Sequence, residues 1–285
     1  MRRLCMLCVI NLAVGVAAGQ TPQSPFEDFA GSAAAVPRAE PPGPPDPPSA
    51  AGPGALPEER DVSWKLLVSN VLDDQKRIWL FPRHWFHGKY LNPTGTFLIA
   101  TAGWVALDPY AEPYFRRTQA YTEFNRVVGS RNSLIGMFVV PLSAYGAGLA
   151  RHDAYLQQTA LLTAEAVVNS EVLAQVMKAT TRRLLPGYIA PNGDFSGSWF
   201  RNHSGPWYTA PGSFPSGHMI AATSIATVFA RRYGRTHRWV PWMAYGLAGM
   251  VGFSRLTLSA HFPSEVFAAT FLGYTIARYG VLRNQ

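Results

Sequence analysis

Six apolar helical runs, at 96–107, 134–150, 155–177, 217–230, 239–253 and 266–280, govern what this chain can become. No alternating strand pattern and no internal repeat accompanies them, so the fold class is all-α, a bundle of about six core helices. Polar residues interrupt or close the runs: Asp108, Glu165, Glu171 and the pair Arg231-Arg232. None holds 18 uninterrupted apolar residues, against the ~20 that a spanning helix uses. A soluble bundle and a bundle of short membrane spans both satisfy this pattern. Ahead of them, Trp64 to Trp79 is amphipathic. Leu66, Leu67, Val71, Leu72, Ile78 and Trp79 oppose Asp73, Asp74, Lys76 and Arg77, a face that fits a membrane surface or a protein core equally well.

The first 60 residues are of another kind. Arg2 and Arg3, the apolar run Leu4 to Val16 and the small residues Val16-Ala17-Ala18-Gly19 make 1–19 an export signal, with an uncleaved anchor as the alternative. Eleven of the 23 prolines lie between Pro22 and Pro57, so 20–60 reads as a disordered Pro/Ala-rich linker that cannot bury enough apolar surface to order itself. The helical domain is then 61–285, and the expected location is the cell envelope: the periplasm, or a membrane with the site on its outer side. Both cysteines, Cys5 and Cys8, fall in the signal, which excludes a disulfide framework, a cysteine-bound metal or a cysteine nucleophile in the domain.

The formal charge of +8 understates the domain, where 21 basic residues face 11 acidic ones. No basic run or aromatic-lined stripe marks a nucleic-acid module, so nucleic acid is not an expected partner. Arg231, Arg232, Arg235 and Arg238 cluster between two apolar runs, where they could meet anionic lipid headgroups.

Three stretches can carry chemistry. In Ser213-Phe214-Pro215-Ser216-Gly217-His218, Ser216 is placed to cap the helix that follows. A helix N-terminus with free N–H groups accepts a phosphate-like anion, Gly217 lets it approach, and His218 would sit beside it. In Ser254-Arg255 through Glu265, Arg255 can act as a bidentate oxyanion donor. His261 precedes Pro263, a helix-starting residue. Glu265, four residues on, can hold one imidazole nitrogen and leave the other as a nucleophile or base. The third stretch, Lys178 to Pro186, places cations at a helix end. Taken alone, each has an ordinary explanation as a cap, a surface histidine or a dipole-complementing cation.

Together their order and spacing resemble the type 2 phosphatidic acid phosphatase superfamily, which includes bacterial acid phosphatases and vanadium haloperoxidases. The family pattern is Lys, six residues, Arg-Pro; then Pro-Ser-Gly-His; then Ser-Arg, five residues, His, three residues, Asp. The middle motif is complete at Pro215 to His218. The third matches at Ser254, Arg255 and His261, with Glu265 for the usual Asp. The first keeps Lys178 and Pro186, but Leu185 stands at the arginine position. Arg183, two residues earlier, could replace that cation only if the turn is rearranged.

The resemblance implies an exported, metal-independent phosphomonoesterase working through a phosphohistidine. His261 would be the nucleophile, Glu265 its orienting carboxylate and His218 the general acid. Lys178, Ser216, Gly217, Arg255 and, with a rearranged turn, Arg183 would hold the phosphoryl oxygens. No cofactor is expected, and vanadate enters only in the alternative of a haloperoxidase. A weakly active or non-catalytic envelope protein is the other alternative, raised by Leu185. The expected partner is a phosphate ester, a lipid one among the candidates, at a membrane or its surface. The Gly- and aromatic-rich loop between Arg183 and Phe214, with Arg201 and His203, is expected to cover the site.

Overall fold

The structure is a computed structural model that describes residues 62–86, 90–201 and 212–283. The signal, the linker and His203 lie outside the described residues. Among those described there is no strand. The helices are α1 (Leu67–Phe86), α2 (Leu91–Arg117), α3 (Thr122–Val128), α4 (Ser130–Ala150), α5 (Ala154–Thr181), α6 (Gly217–Tyr233), α7 (Trp239–Thr257) and α8 (Pro263–Thr275), the last continued by a wider turn over Ile276–Val281. All six apolar runs lie on helices. The amphipathic segment becomes α1, which docks on the bundle: Asn70 Nδ2 donates to Glu165 Oε1 (2.9 Å) and Gln75 Nε2 to Asn169 Oδ1 (2.9 Å).

Helix α6 is the hub. It is buried along most of its length and packs against α5, α7 and α8. Small residues make this possible. The core around it holds Ala174, Ala221, Ala222, Ala226, Ala248 and Ala269, with Met137, Met219 and Ile220 filling the gaps. At Gly273 of α8 even a methyl group would stand 2.5 Å from the Ile220 carbonyl, so α6 and α8 touch backbone to backbone.

Local chemistry sets the helix ends that matter. Asp153 caps α5 by accepting the Leu156 N–H (2.9 Å), Ser216 caps α6 by accepting that of Met219 (3.4 Å), and Pro263 opens α8. Ser259, in the left-handed region at φ 48, ends α7 and turns the chain back, so that the N–H groups of Ala260 and His261 both reach the Arg255 carbonyl. The C-terminal ends of α5 and α7 and the N-terminal ends of α4, α6 and α8 thereby meet at one end of the bundle.

The outer surface is apolar. Ile99 is 76% exposed, Trp242 83%, and Phe138, Leu142, Leu149 and Val168 also face outward. Thr122–Ala150 and Ala154–Tyr188 are each long and apolar enough to cross a membrane. Arg232 departs from the expectation of a lipid-facing cluster. It is buried, its Nε donates to Thr159 Oγ1 (2.7 Å), and its guanidinium lies 3.9 Å over the Tyr155 ring. It ties α6 to α5 and does not face headgroups.

Candidate active site

The gathered helix ends bring together Lys178, Ser216, Gly217, His218, Arg255, His261 and Glu265. Glu265, in the first turn of α8, is fully buried. Its Oε2 accepts from His261 Nδ1 (2.8 Å), from the Phe262 N–H (3.2 Å) and from the Ser213 hydroxyl. A carboxylate at this position assigns the proton to Nδ1. Nε2 keeps its lone pair and has no hydrogen-bond partner among the described residues.

Facing it is the start of α6. Gly217 is needed for approach: a methyl group there would lie 3.2 Å from Lys178 Nζ and 3.4 Å from both Glu171 carboxylate oxygens. Lys178 is held in place from the other side, because the chain crosses its backbone at Gly212, where a methyl would be 2.4 Å from the Lys178 carbonyl. His218 Nε2 lies 3.3 Å from the Ser130 carbonyl at the start of α4, which leaves Nδ1 for proton exchange. Burial, with the positive charges of Arg255 and Lys178, pushes His218 down to about 4 against the pull of the Ser130 carbonyl, so its acid form depends on an anion arriving beside it.

Arg255 is 1% exposed. Its guanidinium donates to Ser130 Oγ (2.7 Å), to Ser254 Oγ (3.1 and 2.7 Å), to Ser133 Oγ (3.4 Å) and to the Val128 carbonyl (3.3 Å). Every one of these acceptors is neutral. Among the described residues no carboxylate lies within ion-pair distance of it, so a buried cation is left without a counter-charge. Burying such a charge is expensive unless an anion arrives.

Arg183 is placed elsewhere. It lies behind Glu265, with Nη2 2.6 Å from Asp108 Oδ2, Nη1 2.8 Å from Ser264 Oγ and 3.3 Å from Glu265 Oε1, and Nε 3.1 Å from Ser198 Oγ. Its plane packs on Trp199 and Phe262, at 4.2 and 3.9 Å from the ring centroids. All its charge is answered by protein. As placed, it is not a phosphoryl ligand but a prop for Glu265. The loop that follows takes part in that prop. Trp199 packs against Phe214 at a tilt of 53°, and Arg201 donates to the Gly197 carbonyl (2.6 Å), so the described half of the loop packs behind the site.

Sequence reasoning missed several participants. Ser130 contacts both Arg255 and His218 from α4, Ser213 reaches the His261–Glu265 pair, and Asp108 and Ser264 fix Arg183. Ser213 opens the middle motif, which was the available signal. Ser130 and Asp108 carry none, because they meet their partners from 125 and 75 residues away.

Beside Lys178 and His218 an apolar groove of about 520 Å³ opens between α4, α5 and α6. Phe138, Leu142, Tyr145, Ala164 and Val168 line it, and Glu171, Lys178, Gly217 and His218 form its polar end.

The arrangement sets cations and two histidines of different bonding around a helix N-terminus, chemistry suited to an oxyanion. Residues 159–284, which carry every one of these groups except those from α2, α3 and α4, match the family model described as the PAP2 superfamily. The match covers under half of the chain, and it is to the family that the three motifs resemble, the type 2 phosphatidic acid phosphatase superfamily. Among curated proteins it is similar to a lipid A 1-phosphatase of Porphyromonas gingivalis, 33% identical over 72 residues, 25% of this chain and 16% of that protein. It is also similar to a lipid A 1-phosphatase of Rhizobium johnstonii, 33% identical over 107 residues, 38% of this chain and 40% of that protein. The chain thus spans less than half the length of these relatives. Among solved structures, a transmembrane PAP2 type phosphatidylglycerolphosphate phosphatase from Bacillus subtilis aligns with 20% identity and a TM-score of 0.41, over 73% of this chain and 94% of that one.

Proposed function

We propose that the chain is a lipid phosphate phosphatase of the membrane that hydrolyses phosphomonoesters through a phosphohistidine. His261 Nε2 attacks phosphorus as the P–O ester bond breaks, and His218 Nδ1 protonates the departing oxygen, a role worth ~10²–10⁴ in rate. Water then cleaves the P–N bond, giving up its proton to His218, and phosphate leaves. Glu265 holds the His261 tautomer and stabilises the imidazolium. Lys178, Arg255, the Ser216 hydroxyl and the Gly217 N–H hold the phosphoryl oxygens, and the scheme calls on no metal or cofactor.

The observation that carries this reading is Arg255, a buried guanidinium with neutral partners only, set among Lys178 and the two histidines. The apolar groove beside it favours a substrate with a hydrocarbon chain, and the outward apolar side chains favour a membrane. The names of the lipid A 1-phosphatase relatives agree with both. An export signal at 1–19, expected from the sequence, would set the site towards the outer face of that membrane.

The test is phosphate release by the full chain in detergent micelles from a long-chain lipid phosphate and from p-nitrophenyl phosphate. Wild type is expected to turn over the lipid and the His261→Ala variant to release no phosphate. Equal turnover by that variant, or bromide oxidation with vanadate and peroxide in place of phosphate release, overturns the reading.

A further inference from the structure

Glu171 has no role in the chemistry above, yet it stands close to Gly217 and lines the groove. Its carboxylate converges with Lys178 Nζ over Gly217, the residue next to the Ser216 cap. It also belongs to the polar end of the apolar groove, with Lys178, Gly217 and His218. A carboxylate at this point repels the phosphoryl dianion that the neighbouring cations attract. Gln175 and Lys178 on the same helix meet part of that charge; the rest weakens anion binding unless the carboxylate also meets a donor on the substrate.

The layout says which part of the substrate it meets. His218 must reach the ester oxygen to protonate it, and Glu171 shares the polar end of the groove with His218. A hydrocarbon chain running from the ester into the groove therefore passes Glu171 with its first few atoms. We infer that Glu171 is a specificity residue that accepts a hydrogen bond from a hydroxyl or N–H group borne by the leaving group one or two carbons from the ester oxygen. Polyol and amino-sugar phosphates have such a donor, and simple alkyl or isoprenyl phosphates lack it. The carboxylate admits the first class and taxes the second by repulsion.

This inference rests on the phosphatase reading, and the experiment separates the two. Wild type, Glu171→Ala and Glu171→Gln are compared in micelles on two substrates of similar chain length. One is 1-acyl-glycerol 3-phosphate, with a free hydroxyl beside the ester carbon; the other is an alkyl monophosphate with no donor. An acceptor that binds such a hydroxyl is expected to contribute about 10- to 100-fold, so Glu171→Ala loses that much kcat/KM on the glycerol ester. On the alkyl phosphate it is unchanged or faster. Glu171→Gln, which keeps a carbonyl acceptor without the charge, recovers part of the loss. The same factor for both substrates, or no change in either, overturns the inference while the phosphatase reading stands. Wild type inactive on both overturns the reading and the inference with it. Unfolding midpoints of the three proteins serve to assign any uniform loss to misfolding, which likewise counts against a specificity role.

Discussion

Replacing Arg183 with leucine distinguishes a structural arginine from a phosphate ligand by magnitude as well as direction. Arg183 and Asp108 are 1% and 0% exposed and stand 2.6 Å apart. Without the guanidinium, the Asp108 carboxylate keeps only the Ser264 N–H (3.0 Å) and hydroxyl (2.6 Å), and Glu265 Oε1 loses its ion pair. Removing one member of a buried pair costs about 3–5 kcal/mol, a large part of the ~5–15 kcal/mol that holds a domain folded. Adding Asp108→Leu should return ~1–3 kcal/mol, because the stranded charge goes too. The assay is urea unfolding in detergent micelles followed by helical circular dichroism, with phosphate release measured on the folded fraction. Had Arg183 held a phosphoryl oxygen, its loss would cost ~10²–10³ in kcat with stability intact. An unchanged unfolding midpoint together with a drop of that size would refute the placement of Arg183 behind Glu265.

Other substitutions address other parts of the site. Glu265→Gln should lower kcat by ~10²–10⁴ with little change in KM, since the amide neither fixes the His261 tautomer nor balances the imidazolium; initial rates on the lipid phosphate check this. Ala164→Phe fills the groove on α5, and it should lower kcat/KM for a long-chain phosphate while leaving p-nitrophenyl phosphate turnover unchanged. Inorganic phosphate at 100 times its Kd should stabilise the wild-type protein by about 2.7 kcal/mol, read as a rise in unfolding temperature. Arg255→Met should remove that response, and it should leave the phosphate-free protein no less stable, because an uncompensated buried charge has been deleted.

Much of this was legible in residues whose chemistry is local. Ser216 caps α6, Pro263 opens α8 and Glu265 reaches His261 across four residues, all within one helical turn of where they act. The apolar runs likewise state their helices directly. What could not be read is where chain segments cross. Arg183 was a candidate for the phosphate cage because Leu185 had vacated it, and only the approach of α2 reveals Asp108 as its partner. Arg232 stood in a run of arginines that looked solvent-facing until α5 presented Thr159 and the Tyr155 ring to it. Ser130 carries no motif at all, yet the start of α4 lies against both Arg255 and His218.

The two buried arginines show why burial alone does not identify function. Arg183 and Arg255 are equally hidden, each accompanied by serine hydroxyls, and both lie close to the His261–Glu265 pair. They differ in the sign of what surrounds them. Asp108 and Glu265 neutralise Arg183, so its charge ends within the protein and its geometry is spent on holding a carboxylate. Arg255 meets only hydroxyls and one carbonyl, which orient the guanidinium without cancelling it. A fold under selection for stability alone would give that cation a carboxylate or replace it with an apolar side chain. Its retention in this form is intelligible if the missing negative charge comes and goes with each turnover of the proposed reaction, carried by the phosphate ester that Lys178 and His218 also face.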